Sequence, residues 1–274
     1  MSTSLVDVSL NVDNARRAFS AQAPYFDSYE KTNVILRWMR RQVYNHLEEF
    51  LSPGDNIFEL NAGTGIDAVY FAARGHLVFA IDNAEGMLLE LEKKIESFHL
   101  QEKIQFECCS FTELQTLPEN RFNHVFSNFG GLNCVADLRI VTNQLPRFLK
   151  TGAMVTFVIM PRVCPWELLH LATGSSTFAV RRFSKKGTTA SIEGHKFLTY
   201  YFSPGDVIRS FNDHFRLVKL RGLASISPPP YMAEFAVSHP RLYRMLSVLD
   251  ERYSTFFPFN RWADHFIITF QYVS

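Results

Sequence analysis

Cysteine is scarce in this sequence: the 274 residues include only Cys108, Cys109, Cys134 and Cys164. Their spacing matches neither a disulfide-rich scaffold nor a CxxC-type site. No histidine or further cysteine stands at ligand spacing from Cys108 and Cys109, so we predict buried thiols there and no metal. The cysteine usage favours a reducing, cytoplasmic compartment.

The chain also lacks an excess of charge, because 28 Lys and Arg oppose 27 Asp and Glu, a formal charge of +1. A dedicated nucleic-acid binder would carry a positive field, so this class is excluded. The longest apolar run, at about 153–160, is far shorter than the roughly 20 residues of a membrane helix. Residues 1–10 lack the layout of a secretory signal. We expect a globular chain without a membrane span.

From residue 56 onward, short apolar runs alternate with segments of helical periodicity. The predicted strands are 56–60, 76–81, 104–108, 122–127 and 153–160, and the predicted helices are 31–51, 66–73, 84–98 and 137–149, the last split by Pro146. Such alternation predicts an α/β protein with a parallel sheet covered by helices on both faces.

The regular alternation of predicted strands and helices ends at Pro161. We predict a helix at 166–171 and a hairpin of strands 178–183 and 195–202, linked by the solvated segment 184–187. The remaining predicted elements are a helix at 205–211, a strand at 216–220, a helix at 240–253 and a last strand at 264–273. The basic pairs Arg181–Arg182 and Lys185–Lys186 are interpreted as a solvated hairpin rather than an anion site.

The most informative pattern is the turn Glu59-Leu60-Asn61-Ala62-Gly63-Thr64-Gly65, between a predicted strand and a predicted helix. Its glycines allow a ligand to approach the backbone, and the helix amino terminus favours a negative group. Asp82 ends the next strand, where an acid can accept hydrogen bonds from ribose hydroxyls. The alternative role for Asp82 is to cap the following helix. Asn61 either is a functional substitution or simply adopts left-handed backbone geometry.

At these residues the chain resembles the class I S-adenosylmethionine-dependent methyltransferases. Glu59, Gly63 and Gly65 match the family's first motif, in which Asn61 replaces a glycine, and residues 80–87 resemble the second. Residues 122–133 and 150–153 are similar to the fourth strand with its following loop and to the approach to the fifth strand, and residues 18–27 loosely resemble the amino-terminal capping segment of small-molecule members.

The resemblance implies a Rossmann-like fold: a seven-stranded, mostly parallel sheet with an antiparallel last strand and an inserted cap. It divides the chain into capping helices (1–55), a cofactor-binding core (56–160) and a cap with the last strands (161–274). It implies S-adenosylmethionine as cofactor and methyl transfer to oxygen, nitrogen or carbon of a small, fairly apolar metabolite by a monomer or homodimer. The implied cofactor-binding residues are Tyr25, Glu59, Asn61, Ala62, Gly63, Thr64, Gly65, Asp82, Asn83, Met87, Ser110, Phe111, Asn128 and Phe129.

Substrate contacts are predicted at Asn133, Trp166 and Tyr201, with Tyr231, Phe256 and Phe259 as further candidate pocket walls. No catalytic residue follows from the sequence, although His170, His195, His239 and His265 are candidates for a base. We interpret the pair Asp264–His265 as structural.

Two alternatives to a methyltransferase remain. One is a catalytically silent cofactor-binding protein, suggested by Asn61 and Ser110; the other is a nicotinamide-dependent oxidoreductase, whose glycine motif would need a third glycine where Ala68 stands.

Overall fold

A computed structural model describes residues 5–171 and 176–273 of the chain. Its strands are β1 (Asn56–Leu60), β2 (Leu77–Asp82), β3 (Ile104–Cys108), β4 (Phe122–Ser127), β5 (Leu149–Ile159), β6 (Thr188–Ile192), β7 (His195–Thr199), β8 (Phe215–Leu223) and β9 (His265–Tyr272). Its helices are α1 (Leu5–Thr32), α2 (Val34–Glu48), α3 (Ile66–Ala72), α4 (Glu85–Ser97), α5 (Arg139–Thr142), α6 (Pro165–Leu168), α7 (Ser176–Val180), α8 (Pro204–Ser210), α9 (Ala233–Ser238) and α10 (Pro240–Tyr253).

Seven strands form one sheet in the order β3-β2-β1-β4-β5-β9-β8. The pairs among β1 to β5 are parallel, whereas β9 is antiparallel to both β5 and β8. The predicted seven-stranded, mostly parallel sheet with an antiparallel last strand is therefore confirmed. Because β9 is antiparallel, its first residue lies at the edge where β1, β4 and β5 end.

Large apolar side chains fill the space on both faces of the sheet. Phe58, Phe126, Phe157, Phe266 and Phe270 are all fully buried there. Since strands covered on both faces read as continuous apolar runs, their sequence positions could be predicted closely. Within residues 5–171 and 176–273, no helix combines the length and apolar character needed to cross a bilayer.

The amino-terminal helix α1 is the largest element that the periodicity did not predict. It continues for 28 residues through Pro24, a residue that normally breaks or kinks a helix interior. The predicted interruption of the helix 137–149 is confirmed: α5 ends at Thr142, a 3₁₀ turn containing Pro146 follows at Leu145–Phe148, and β5 begins at Leu149.

The predicted hairpin of 178–183 and 195–202 is wrong in its first strand. Residues 176–183 form α7 and a 3₁₀ turn, and the hairpin instead joins β6 to β7 through Glu193 and Gly194. Both turn residues have positive φ, 47° and 79°, as a two-residue type I′ turn requires. Glutamate is unusual at such a position, so residues 193–194 are a weak turn signal.

Candidate active site

A cavity of about 330 Å³ opens above the carboxyl ends of β1, β2 and β4. This is the edge at which open α/β sheets bind ligands, and the volume falls in the range of small-molecule sites. Its wall includes ten residues that the sequence singled out: Asn61, Ala62, Gly63, Thr64, Asp82, Asn83, Met87, Phe111, Asn128 and Phe129. The strand ends therefore bring most of the predicted cofactor residues together.

The turn after β1 adopts left-handed backbone geometry at Asn61, Gly63 and Gly65, with φ values of 51°, 56° and 75°. At Gly65 a side chain would also collide with the buried Leu91, because a Cβ atom there would lie 2.2 Å from Leu91 Cδ1. Glycine at position 65 is thus required both by backbone conformation and by the close packing of α4 against the turn.

Asn61 connects this turn to the end of β4. Its Oδ1 accepts a hydrogen bond of 2.6 Å from Ser127 Oγ, and its Nδ2 donates to the carbonyl of Asn128 at 3.2 Å. The side chain packs against Gly131, where a Cβ atom would lie 2.3 Å from Asn61 Cγ. Asn61 thus adopts the left-handed geometry of the second interpretation and also bonds the turn to the end of β4, whereas a functional role for the substitution stays a prediction.

Asp82 connects the same turn to β2 and α4. Its Oδ2 accepts the backbone N–H of Gly63, and its Oδ1 accepts that of Ala84, each at 2.8 Å. Burial raises the pKa of Asp82, although these backbone donors oppose the shift. Asp82 therefore does cap the segment before α4, and it also lies in the cavity wall where a ribose-binding acid was expected.

A third connection joins the turn to α1. Thr64 Oγ1 donates to Asp27 Oδ1 at 2.6 Å, and Lys94 Nζ contacts both Asp27 Oδ2, at 2.6 Å, and the Thr64 carbonyl, at 2.8 Å. Helix α1 also supplies part of the cavity wall, including Phe19, Phe26 and Glu30. The turn is consequently fixed from β4, from β2 and from α1.

Glu30 and Arg40 are functional candidates that sequence reasoning missed. Arg40 Nε donates to Glu30 Oε1 at 2.7 Å, and its other nitrogens contact Glu30 and Asp67. All three side chains are buried in the cavity wall. They come from three separate helices, and no sequence motif connects them.

Two further side chains complete the environment of Asp67. Its Oδ1 accepts from Tyr44 Oη at 2.6 Å and its Oδ2 from Asn128 Nδ2 at 2.8 Å. The wall thus contains three carboxyl side chains, those of Glu30, Asp67 and Asp82, and one guanidinium, that of Arg40. The described wall carries an excess of negative charge.

Glu59 lies beneath the turn and is not part of the cavity wall. The residue is 2% exposed, and its Oε2 has no hydrogen-bond partner among the described residues. Burial raises the pKa of Glu59 well above its ordinary value; nearby Asp67 and Asp82 add to the shift, and Arg40 opposes it. A buried polar atom without a partner is costly, which makes this position unusual in a native core.

Six other predicted site residues lie outside the cavity wall. Gly65 packs behind the turn, Tyr25 is 66% exposed on α1, and Ser110 forms a local turn with Thr112. Asn133 joins two chain segments, donating to the carbonyls of Met160 and Tyr200. The predicted substrate residues Trp166 and Tyr201, like Tyr231, Phe256 and Phe259, do not line this cavity.

The basic residues interpreted as solvated divide into two groups. Lys185 and Lys186 are exposed, but Arg182 is 3% exposed and donates to Glu167, at 2.8 Å, and to Asp264. Cys164, Glu167 and Asp264 place possible ligand atoms within 4.8 Å of one another. Arg182 bonds both carboxylates, so a cation there would compete with the guanidinium.

The prediction of buried thiols holds for Cys109 and is wrong for Cys108, which is exposed at the end of β3.

Of the four candidate histidines, His265 is the one that the structure places in the cavity wall, whereas His195 and His239 are exposed. The side chain of His170 lies outside the described residues.

Comparison with known proteins finds a similarity for the part of the chain that supplies the glycine turn and Asp82 to this cavity. Residues 57–152 match a family described as "Methyltransferase domain". These residues run from the second residue of β1 into β5, and they include the glycine turn and Asp82. Residues 57–152 are thus similar to a methyltransferase domain.

Curated relatives agree with the match. A demethylmenaquinone methyltransferase of Clavibacter sepedonicus is 29% identical over 131 residues, which cover 47% of this chain and 51% of the relative. A protein of the same name from Corynebacterium glutamicum is 26% identical over 134 residues. The chain spans about half the length of the curated relatives it matches.

Solved methyltransferase structures share the fold. The 1,6-didemethyltoxoflavin N1-methyltransferase of Burkholderia thailandensis, with its substrate and S-adenosylhomocysteine bound, has a TM-score of 0.61 and 15% identity, covering 100% of this chain and 94% of that one. The geranyl diphosphate C-methyltransferase of Streptomyces coelicolor A3(2), in complex with Mg²⁺, geranyl diphosphate and S-adenosyl-L-homocysteine, has a TM-score of 0.57 and 13% identity over 89% of this chain and 83% of that one.

Proposed function

We propose that this protein transfers a methyl group from S-adenosylmethionine to a small, fairly apolar acceptor. The observation that carries the proposal is the junction of Asp82 with the Gly63 turn in the cavity wall, inside a methyltransferase domain. Relatives of similar fold hold S-adenosylhomocysteine, which supports the choice of cofactor.

The residues present fit an adenosyl ligand. A carboxylate offers about four lone-pair positions, and Gly63 and Ala84 use two of those of Asp82. The remaining positions would accept the two ribose hydroxyls. Asn83, Met87 and Phe111 lie in the same wall and would contact the ribose and the adenine.

The charge of the wall fits the methionine portion of the cofactor. A sulfonium and an ammonium are positive, and the three acidic residues of the wall outnumber Arg40. Glu30 and Asp67 would face the positive groups, and Arg40 would face the carboxylate.

The main chemical task of the protein would be to position the acceptor against the methyl group of the cofactor. When bound, the cofactor supplies an electrophilic methyl group, and an acceptor must approach it in line with water excluded. Phe19, Phe26 and Phe129 form apolar parts of the wall, and α1 covers the cavity on one side. These residues would hold an apolar acceptor against the strand ends.

We further propose that the protein acts in the cytoplasm as a monomer or homodimer, on a small molecule and not on nucleic acid. The formal charge of +1 supports the exclusion of nucleic acid, and four unpaired cysteines support a reducing compartment.

Isothermal titration calorimetry with S-adenosylhomocysteine tests the cofactor assignment. We expect saturable one-to-one binding, and absence of binding to folded protein would refute it. Transfer of a labelled methyl group to a panel of apolar phenols, quinols and amines then tests the activity. Tight binding without transfer to any acceptor would favour the catalytically silent alternative.

A further inference from the structure

His265 has a place in the fold that suits contact with an acceptor. It is the first residue of β9 and pairs with Leu223 of β8, while the next residue, Phe266, pairs with Ile159 at the end of β5. Its ring is therefore held at the carboxyl edge of the parallel strands. It lies in the wall of the same cavity as Asp82 and Gly63.

The imidazole is oriented by a buried chain of charges. His265 Nδ1 lies 2.8 Å from Asp264 Oδ2, and Asp264 Oδ1 accepts from Arg182 at 2.7 Å. Arg182 also donates to Glu167, which in turn accepts two hydrogen bonds from Arg181. Four side chains, Asp264, Arg182, Glu167 and Arg181, thus support one orientation of the His265 ring.

The same contacts define which ring nitrogen carries the hydrogen. Burial raises the pKa of Asp264, but His265 and Arg182 outweigh it and hold that pKa below its ordinary value. An ionised carboxylate only accepts hydrogen bonds, so Nδ1 of His265 must be the donor. In the neutral ring, Nε2 is then left with its lone pair available as a proton acceptor.

The surroundings of the His265 ring leave Nε2 available to a ligand. Among the described residues, the hydrogen bond of the His265 ring is the one between Nδ1 and Asp264, and it does not involve Nε2. The ring packs edge-on against Phe129, with centroids 5.7 Å apart, and Arg40 lies 4.7 Å from the centre of the Phe129 ring. Packing on Phe129 and bonding to Asp264 leave Nε2 as the reactive atom.

We propose that His265 is the base that removes a proton from the methyl acceptor, with Asp264 as its positioning residue. This inference rests on the proposed function and deepens it, because it assigns the acceptor to molecules with an acidic hydroxyl, such as a phenol or an enol. An anchored histidine and carboxylate pair beside a reaction cavity is the arrangement of general-base catalysis.

The step balances as a simple displacement. The acceptor hydroxyl gives its proton to His265 Nε2 while its oxygen forms a bond to the methyl carbon. The bond from that carbon to sulfur breaks, and its electron pair remains on sulfur. The resulting imidazolium is stabilised by Asp264 and returns its proton to water, so no oxidant or reductant is needed.

Several charged groups surround the ring and enter any pH dependence. Asp264, Arg182, Glu167 and Arg181 lie on the buried side, together with the titratable Cys164, Tyr201 and Tyr231 near this cluster. On the cavity side are Arg40, across Phe129, and the acidic residues Glu30, Asp67 and Asp82.

Nitrogen-15 NMR of histidine-labelled wild-type protein tests the tautomer without any substitution. We expect the His265 signals, assigned by their loss in H265N, to show hydrogen on Nδ1 and a lone pair on Nε2 at pH 8. Hydrogen on Nε2 would overturn the proposal.

The probe 4-nitrophenol, a phenol whose ionised form absorbs visible light, tests the proton transfer itself. With S-adenosylhomocysteine present and absent, we expect wild-type protein to raise the acid dissociation constant of the probe about tenfold, an effect lost in H265N. The matched control is H195N, because His195 is exposed on the hairpin. Equal ionisation of the probe with wild type and H265N would overturn the proposal.

Binding measurements separate this inference from the proposed function. S-adenosylhomocysteine should bind H265N within about threefold of wild type, while methylation of a phenol by H265N should fall about 100-fold or more. If wild type does not bind the cofactor, the proposed function fails, whatever the NMR and probe results say about His265. If H265N methylates phenols at the wild-type rate, only the assignment of the base fails.

Discussion

Asp82 and Gly63 are joined by a hydrogen bond of 2.8 Å, in which the Gly63 backbone N–H donates to the Asp82 carboxylate. The acid at the end of β2 therefore both shapes the glycine turn and lines the cavity beside it. A residue with both roles should be sensitive to loss of charge as well as to loss of shape.

Replacement of Asp82 should therefore weaken cofactor binding. We expect D82A to lose about 1.5–3 kcal/mol of S-adenosylhomocysteine affinity for each charge-assisted hydrogen bond removed. Calorimetric titration measures this directly. The control is D137N, since Asp137 is an exposed acid bonded to its neighbour Arg139. Equal affinities for D82A and wild type would show that the ribose is held elsewhere.

Arg40 should be important for stability as well as for binding. In R40M, Glu30 and Asp67 would remain buried without their cation, so the free energy of unfolding should fall by about 3–5 kcal/mol. Urea titration measures the change. In the exposed pair of Arg74 with Glu48, at 3.3 Å, R74M should cost at most about 1 kcal/mol. Similar losses in both variants would contradict a special role for the buried cluster.

Two glycines with similar backbone angles form a matched test of packing around the turn. Gly54 and Gly65 have φ of 82° and 75°, but only at Gly65 would a Cβ atom meet another side chain within 4 Å, that of Leu91. We expect G54A to cost about 1 kcal/mol for backbone strain and G65A to cost more and to reduce cofactor affinity. Thermal denaturation and calorimetry give the comparison, and equal costs would exclude the contact with Leu91.

Mild acid should destabilise the fold through His124. This ring is fully buried between β4 and β5, with Nε2 2.9 Å from Thr156 Oγ1. Burial, and to a lesser degree His76, lowers its pKa from an ordinary 6.5 to about 3. Below pH 6.5 the His124 imidazole therefore binds a proton in the unfolded chain but not in the folded chain. The free energy of unfolding should consequently fall as the pH decreases.

The slope for a single such group is about 1.4 kcal/mol per pH unit. Urea unfolding at pH 7.5 and 5.5 should reveal the loss, and the His124 proton resonance should not titrate between those values. His46 should add to the effect, because burial, followed by the charges of Arg221 and Lys219, also lowers its pKa. A resonance that titrates near pH 6.5 would contradict the explanation.

The strands and the glycine turn could be predicted from the sequence because their signals are local. A short continuous apolar run such as 56–60 is typical of a strand that is buried on both faces of a sheet. Asp82 could be placed because it follows the second run directly. The antiparallel last strand came from the family resemblance, and the structure confirms it.

The rest of the site depends on contacts between residues far apart in the chain. Glu30, Arg40 and Asp67 come from three helices, and no spacing rule connects them. Arg182 was interpreted as exposed because a basic pair usually is, but Glu167 and Asp264 provide the partners that its burial requires. Asp264 belongs to these buried contacts, and its neighbour His265 lies in the cavity wall, although the pair was interpreted as structural.

The contact between Asn61 and Gly131 has an evolutionary consequence. The amide of Asn61 fills the space that a Cβ atom on residue 131 would need. A homologue with the usual glycine at the first of these positions is free to carry a side chain at the second, whereas one that keeps the asparagine is not. Sequence changes at the two positions should therefore be correlated across the family, and an alignment of homologues would record this as paired substitution.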